Sequence, residues 1–118
     1  MITARSRFHG HGSLKFLHKN ADAYRSRFFV VKVIRNPHRK HSRFAVIVSK
    51  KTHKSAVGRN RIRRRVYEIL RFEQASIAGV YDIVVIVTSG EVLQAEFSDL
   101  EVSLRELFAQ AGVYRSRE

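Results

Sequence analysis

Residues 79–90 read GVYDIVVIVTSG, and the apolar run inside them, Ile83 to Val87, decides the fold. A strand with water on one side alternates apolar and polar residues; this one does not, which marks a central strand buried on both faces. Gly79 stops the element before it, and Ser89-Gly90 turns the chain after it. Upstream, from Ser55 to about Ala78, Ile62, Val66, Ile69 and Leu70 recur at i, i+4, i+7 and i+8, the seam of an amphipathic helix. Downstream, Phe97, Leu100, Leu104, Leu107 and Phe108 make a second seam, with Ser98 as N-cap, Asp99 and Glu101 in the first turn and Gly112 as the stop.

Further out, FFVVKVI (28–34) and RFAVIVS (43–49) are rich in β-branched and aromatic residues and read as neighbouring strands, antiparallel through the basic loop RNPHRKHSR (35–43). If Phe28, Val30 and Ile34 share one sheet face, Lys32 lies on that face with them: either a surface covered when a ligand arrives or a lysine snorkelling at a sheet edge. In GSLKFLHKNADAY (12–24), Leu14, Leu17 and Ala21 predict a short helix starting at Ser13. Residues 1–12, MITARSRFHGHG, are expected to be a flexible basic arm. The order strand, strand, helix, strand, helix predicts an α+β protein: a two-layer α/β sandwich with a small mixed sheet and about three helices. At 118 residues, 44% of them hydrophobic, one domain over 1–118 is expected.

The chain has no cysteine, which excludes disulfides, thiolate metal sites and thiol nucleophiles. Its longest apolar run is far too short to span a bilayer, and a cytoplasmic location is expected. The net charge of +13 is unevenly placed. Residues 1–71 hold 20 of the 23 Lys and Arg with only Asp22 and Glu68 against them, whereas residues 72–118 hold 3 basic and 8 acidic residues. Sixteen of the cations are Arg, whose planar fork grips phosphate bidentately and stacks on bases, so nucleic acid is a better match than a membrane surface. A merely solubilising charge excess is the bland alternative.

The charge concentrates on the central helix. Arg59, Arg61, Arg63, Arg64 and Arg65 fall within seven positions, where cations one turn apart repel, and Glu68 offers the helix little relief. With Ile62 at the centre of the seam, Asn60, Arg64, Tyr67 and Arg71 lie toward the opposite pole and the other arginines flank the seam. The helix buries one side and offers the rest to phosphates. Three other readings compete with RNA docking. A histidine-based nuclease or metal site would need carboxylates beside the six histidines, and none stands at ligand spacing. A helix-turn-helix DNA reader would need a short helix before this one across a tight turn. A ribosomal-type or chaperone-like RNA-binding module stays open. RNA suits the layout: the helix grips phosphates and shape, and a sheet face can hold a single strand.

RFAVIVSKK followed by AVGRNRIRRRVYE closely resembles the signature of the bacterial ribonuclease P protein subunit. Ala56, Val57, Arg59, Asn60, Arg61, Ile62, Arg63 and Arg64 fall on the central-helix motif, and Lys50 and Lys51 on the lysines ending the preceding strand. The resemblance covers nearly the whole chain. It implies a left-handed βαβ crossover, against the usual rule, and two partners. Ribonuclease P catalytic RNA is expected on Lys50, Lys51, Arg59, Asn60, Arg61, Arg63, Arg64 and Arg65. The 5′ leader of precursor tRNA is expected in a cleft at Leu14, His18, Phe28, Val30 and Lys32. It further implies that the RNA, with magnesium held mainly by RNA, performs the hydrolysis, and that the protein contributes no catalytic residue. Three departures are visible: the connector THKS (52–55) is about one residue longer than usual; Tyr67 stands where a basic residue is common, with Arg65 as its substitute from the previous position; and Leu14, His18 and Lys32 replace cleft aromatics.

Overall fold

The computed structural model describes residues 22–36 and 40–114. Four strands, β1 (Asp22–Arg25), β2 (Phe29–Arg35), β3 (Arg43–Val48) and β4 (Tyr81–Val87), form one mixed sheet in the order β1-β2-β4-β3. Two α-helices accompany it, α1 (Ala56–Glu73) between β3 and β4 and α2 (Phe97–Ala111) after β4, with 3-10 turns at Gln74–Ser76 and Gly90–Leu93. The α+β, two-layer expectation holds. Two α-helices rather than three lie among the described residues; the start of the helix expected from Ser13 lies outside them, as does the arm 1–12. The last residues of that expected helical stretch are extended instead. Asp22–Arg25 pair antiparallel with Val33–Val30, closed by the Ser26 N–H donating to the Phe29 carbonyl at 2.9 Å. No helix among the described residues is long and apolar enough to cross a membrane.

β4 is central, as its uninterrupted apolar run requires. It pairs antiparallel with β2, Phe29 opposite Val87, and parallel with β3, Arg43 opposite Asp82. The expectation that β2 and β3 are neighbours is therefore corrected: they run in opposite directions, but β4 lies between them. The reason is physical. β4 is the strand able to be buried on both faces and to ladder on both edges.

The strand period of two sorts the side chains. Phe29, Val31, Val33, Phe44, Val46, Val48, Ile83, Val85 and Val87 form one buried cluster with Ile62, Val66, Ile69 and Leu70 of α1 and Leu100, Leu104, Leu107 and Phe108 of α2. Ala45 and Val84 make a smaller cluster with Ile34, Ile47 and Ile86. Lys32, opposite Val84 and two residues from Ile34, belongs to that second face. Each fully buried aliphatic of the α1 seam is worth about 2 kcal/mol. A like-charge pair one turn apart costs only about 0.2–0.5 kcal/mol, so the seam holds α1 helical despite its arginines.

Polar ties fix the ends. Arg43 grips both carboxylate oxygens of Asp82, Nε at 2.8 Å and Nη2 at 2.7 Å, and Asn36 Nδ2 donates to the same carboxylate at 2.9 Å. Three elements are thereby pinned at one sheet end. Glu73, buried at the end of α1, accepts from Arg105 Nε of α2 and from the Tyr114 hydroxyl. Burial, with the Glu73 charge and hydrogen bond adding to it, pushes the Tyr114 phenol well above its usual range. α2 ends at Gly112, left-handed at φ 72, as read from sequence. It starts two residues earlier than expected: Glu96 is the capping position, without a side-chain cap bond, and Ser98 lies inside the first turn.

Candidate nucleic-acid interface

The connector before α1 sets the geometry of the basic surface. Thr52 Oγ1 donates to the Val87 carbonyl at 3.1 Å, and the Thr52 N–H to the Ser49 carbonyl at 3.1 Å, which ties a tight turn to the end of β4. Lys50 and Lys51 sit on that turn and are exposed. Ser55 caps α1, its hydroxyl accepting the Gly58 N–H at 3.2 Å. His53 folds back over this first turn, Nδ1 accepting the Ser55 N–H at 3.2 Å. A Cβ at position 58 would lie 2.2 Å from His53 Cε1, so the glycine makes room for the imidazole and hence for the long connector. α1 begins at Ala56, one residue after the start read from sequence, but it ends at Glu73, short of the expected Ala78: Gln74–Ser76 form a 3-10 turn and Ile77 bridges to Tyr114, so Gly79 is not its stop.

Along α1 the five arginines divide. Arg59 Nη1 donates to the His53 and Lys54 carbonyls at 3.0 and 2.8 Å, fastening the connector while its other guanidinium donors stay unused among the described residues. Arg63 Nη2 bonds Asn60 Oδ1 within the helix. Arg65 turns toward the 3-10 segment: Nη1 donates to the Val92 and Leu93 carbonyls at 2.6 and 2.9 Å, and Nη2 to Ala95 at 2.6 Å. That guanidinium closes a loop of its own chain, so Arg65 does not stand in outwardly for a basic residue at position 67. Tyr67 is not at the outer pole either; its hydroxyl accepts the Val46 N–H at 3.3 Å, against β3. Arg61 and Arg64 are exposed and make no hydrogen bond or ion pair with any described residue. With Lys50, Lys51 and the free edge of Arg59, they form the outward cationic surface.

The residues expected around a single strand are only partly brought together. Val30 is buried and Lys32 half-buried on the second sheet face. Phe28 precedes β2 at a bend, and its ring packs 6.0 Å from that of Phe29 in the main cluster, away from the face of Lys32. The alternation that would have grouped it with Val30 starts one residue later. Leu14 and His18 lie outside the described residues.

Two features escaped the sequence reading. The inward turn of Arg65 left no signal, since its position on the flank of the seam is shared by Arg59. Phe72 is different: it is 59% exposed, and a helical wheel from Ile62 places it about 80° off the seam. Among the described residues no three His, Asp or Glu side chains come together as metal ligands. The surface can neutralise phosphates and hold RNA; among the described residues it presents no acid–base pair aimed at a bond.

Comparison with known proteins agrees with this geometry. The family model described as Ribonuclease P matches residues 3–112. The ribonuclease P protein component of Thermoanaerobacter sp. (strain X514) is 32% identical over 104 residues, covering 88% of this chain and 87% of its own. The structure of the Staphylococcus aureus RNase P protein superposes with a TM-score of 0.81 at 26% identity, over 93% of this chain and 98% of that one. The RNase P protein from Thermotoga maritima gives 0.77 at 25% identity, over 88% and 96%.

Proposed function

The chain belongs to the ribonuclease P protein family, the protein components of a tRNA-processing endoribonuclease, and from that premise we propose how its surfaces divide the work. Helix α1 and the turn before it dock on the catalytic RNA, with Lys50, Lys51, Arg61 and Arg64 on phosphates and Arg59, Asn60 and Arg63 beside them. The second sheet face, at Val30 and Lys32, receives the single-stranded 5′ leader of precursor tRNA, and the resemblance adds Leu14 and His18 to the residues that contact it. The RNA carries out the phosphodiester hydrolysis with magnesium that it holds itself. The protein lowers the electrostatic cost of bringing two polyanions together, because every phosphate met by a fixed cation releases its condensed counterion. In this reading the chain is one cytoplasmic RNA-binding domain, and the β3–α1–β4 crossover is left-handed, as in the family it resembles.

One observation carries the proposal: Arg61 and Arg64 stand exposed, with no described partner, on a helix whose opposite side is sealed into the core. Cations held apart without counter-charges in the fold call for counter-charges from outside it. The test is cleavage of a 5′-extended precursor tRNA at low magnesium by the cognate large RNA alone, by this protein alone, and by both. Efficient cleavage at the mature 5′ end by the mixture alone is expected. Binding of RNA with no effect on cleavage would leave a ribosomal-type or chaperone-like module, and cleavage by the protein alone would overturn the division of labour.

A further inference from the structure

Phe72 is the exposed aromatic of the described residues at 59%, whereas Phe28, Phe29, Phe44 and Phe108 are buried. The seam of α1 is complete without it, and a ring left in water adds little to a fold. Its surroundings are specific. The Arg71 guanidinium carbon lies 4.7 Å from the ring centroid, within cation–π range, and Glu68 Oε1 holds that guanidinium at 2.9 Å. Phe72 is eleven residues past Arg61, three helical turns, so both occupy one strip of α1 within about 20° and about 16 Å apart along the axis. Arg64 lies three residues past Arg61, about 60° further round toward the outer pole.

We propose that Phe72, steadied by Arg71, is a stacking platform for an unpaired base of the RNA that docks on α1. This rests on the docking reading above and deepens it. Arg61 at one end of the strip, with Arg64 beside it toward the outer pole, neutralises backbone, and the ring at the other end offers a π-face, the combination that recognises unpaired nucleotides. Charge complementarity selects the occupant. A second copy of this chain would bring its own arginines against these, whereas RNA supplies both the anion and the flat apolar base.

The chain has no tryptophan, so Phe72→Trp places a single indole at the site, whose emission is read apart from that of the four tyrosines by excitation at the red edge of its absorption. Titration with the cognate catalytic RNA is expected to quench that emission. Phe72→Ala is expected to weaken RNA affinity roughly 5- to 100-fold with the log-log salt slope and the thermal midpoint unchanged, and Phe72→Tyr to retain affinity. Wild-type affinity in Phe72→Ala together with unmoved Phe72→Trp emission would overturn the proposal while the docking reading stands. So would a fall in thermal midpoint that accounts for the lost affinity, which would mark a folding role. Emission that changes with protein concentration in the absence of RNA would assign the ring to a contact between copies instead. If the wild-type chain does not bind the RNA, the docking reading fails first.

Discussion

The sharpest test of how α1 works separates arginines that sequence alone cannot tell apart. Arg65→Ala removes a guanidinium that donates to the carbonyls of Val92, Leu93 and Ala95. A hydrogen bond from a charged donor is worth about 1.5–3 kcal/mol when its loss leaves a buried acceptor bare. Arg65 is half-buried, so water can re-solvate part of the three carbonyls it leaves, and a total of about 2 kcal/mol is expected. For a chain of this size that lowers the melting temperature by about 6–10 °C. Arg61→Ala with Arg64→Ala should behave oppositely. Neither side chain bonds any described residue, so stability is unchanged or gains about 0.3 kcal/mol from relieved repulsion. Each lost phosphate contact should cut the log-log salt slope of RNA binding by about 0.7–0.9, so the pair should cut it by about 1.4–1.8. Thermal melting by circular dichroism and RNA titration at four or five salt concentrations measure both quantities on the same preparations. The reasoning fails if Arg65→Ala melts like the wild type and lowers the salt slope, because that guanidinium would then be facing RNA.

Three further outcomes follow from the packing. Gly58→Ala drives a methyl into the His53 ring and should destabilise the chain by about 1–2 kcal/mol in urea despite alanine's better helix propensity, whereas adding His53→Ala should restore stability to the wild-type level or above. Asp82→Ala removes the carboxylate that Arg43, its side chain only 13% exposed, grips with two donors, and should cost about 3 kcal/mol; Asp82→Asn, which keeps one carbonyl acceptor, should cost less. The Tyr114 phenol is held protonated by the fold past the pH, about 10, at which it ionises in the unfolded chain. Unfolding then releases a proton, so stability should fall as pH rises above about 10; Tyr114→Phe should flatten that fall in pH-dependent melting, and an unchanged slope would show that the phenol is not held.

How far the sequence could be read depended on where the deciding interaction lies. β4 was legible because burial on both faces is written into its own residues, and so was the start of α1, because its seam is a local signal; its end was not, since the helix gives way to a 3-10 turn at Gln74 and Ile77 pairs with Tyr114, far along the chain. The strand order was not. Placing β4 between β2 and β3 depends on ladders between segments far apart in the chain, and Asp22–Arg25, which by sequence continue a short helix, form a strand only where β2 supplies an edge. The basic surface was legible as charge but not as individual residues. Arg61 and Arg65 look alike in sequence, yet one lies off the seam in water and the other meets three carbonyls brought there by the 3-10 turn at Gly90–Leu93. Phe28 was grouped with Val30 and Lys32 because alternation was counted one residue too early, before the bend at Arg27–Phe28.

The position of β4 also shapes how the chain matures as it is made. β2 and β3 cannot bond through the centre of the sheet until residues 81–87 have left the ribosome, and by then 20 of the 23 cations are already outside. The nascent chain is thus an open polybasic segment beside a surface made of RNA, and non-local pairing of this kind is slow to form. Electrostatic capture of the unfinished chain competes with closure of its sheet, and moderate salt during refolding should speed recovery in the presence of RNA while leaving the isolated chain little changed.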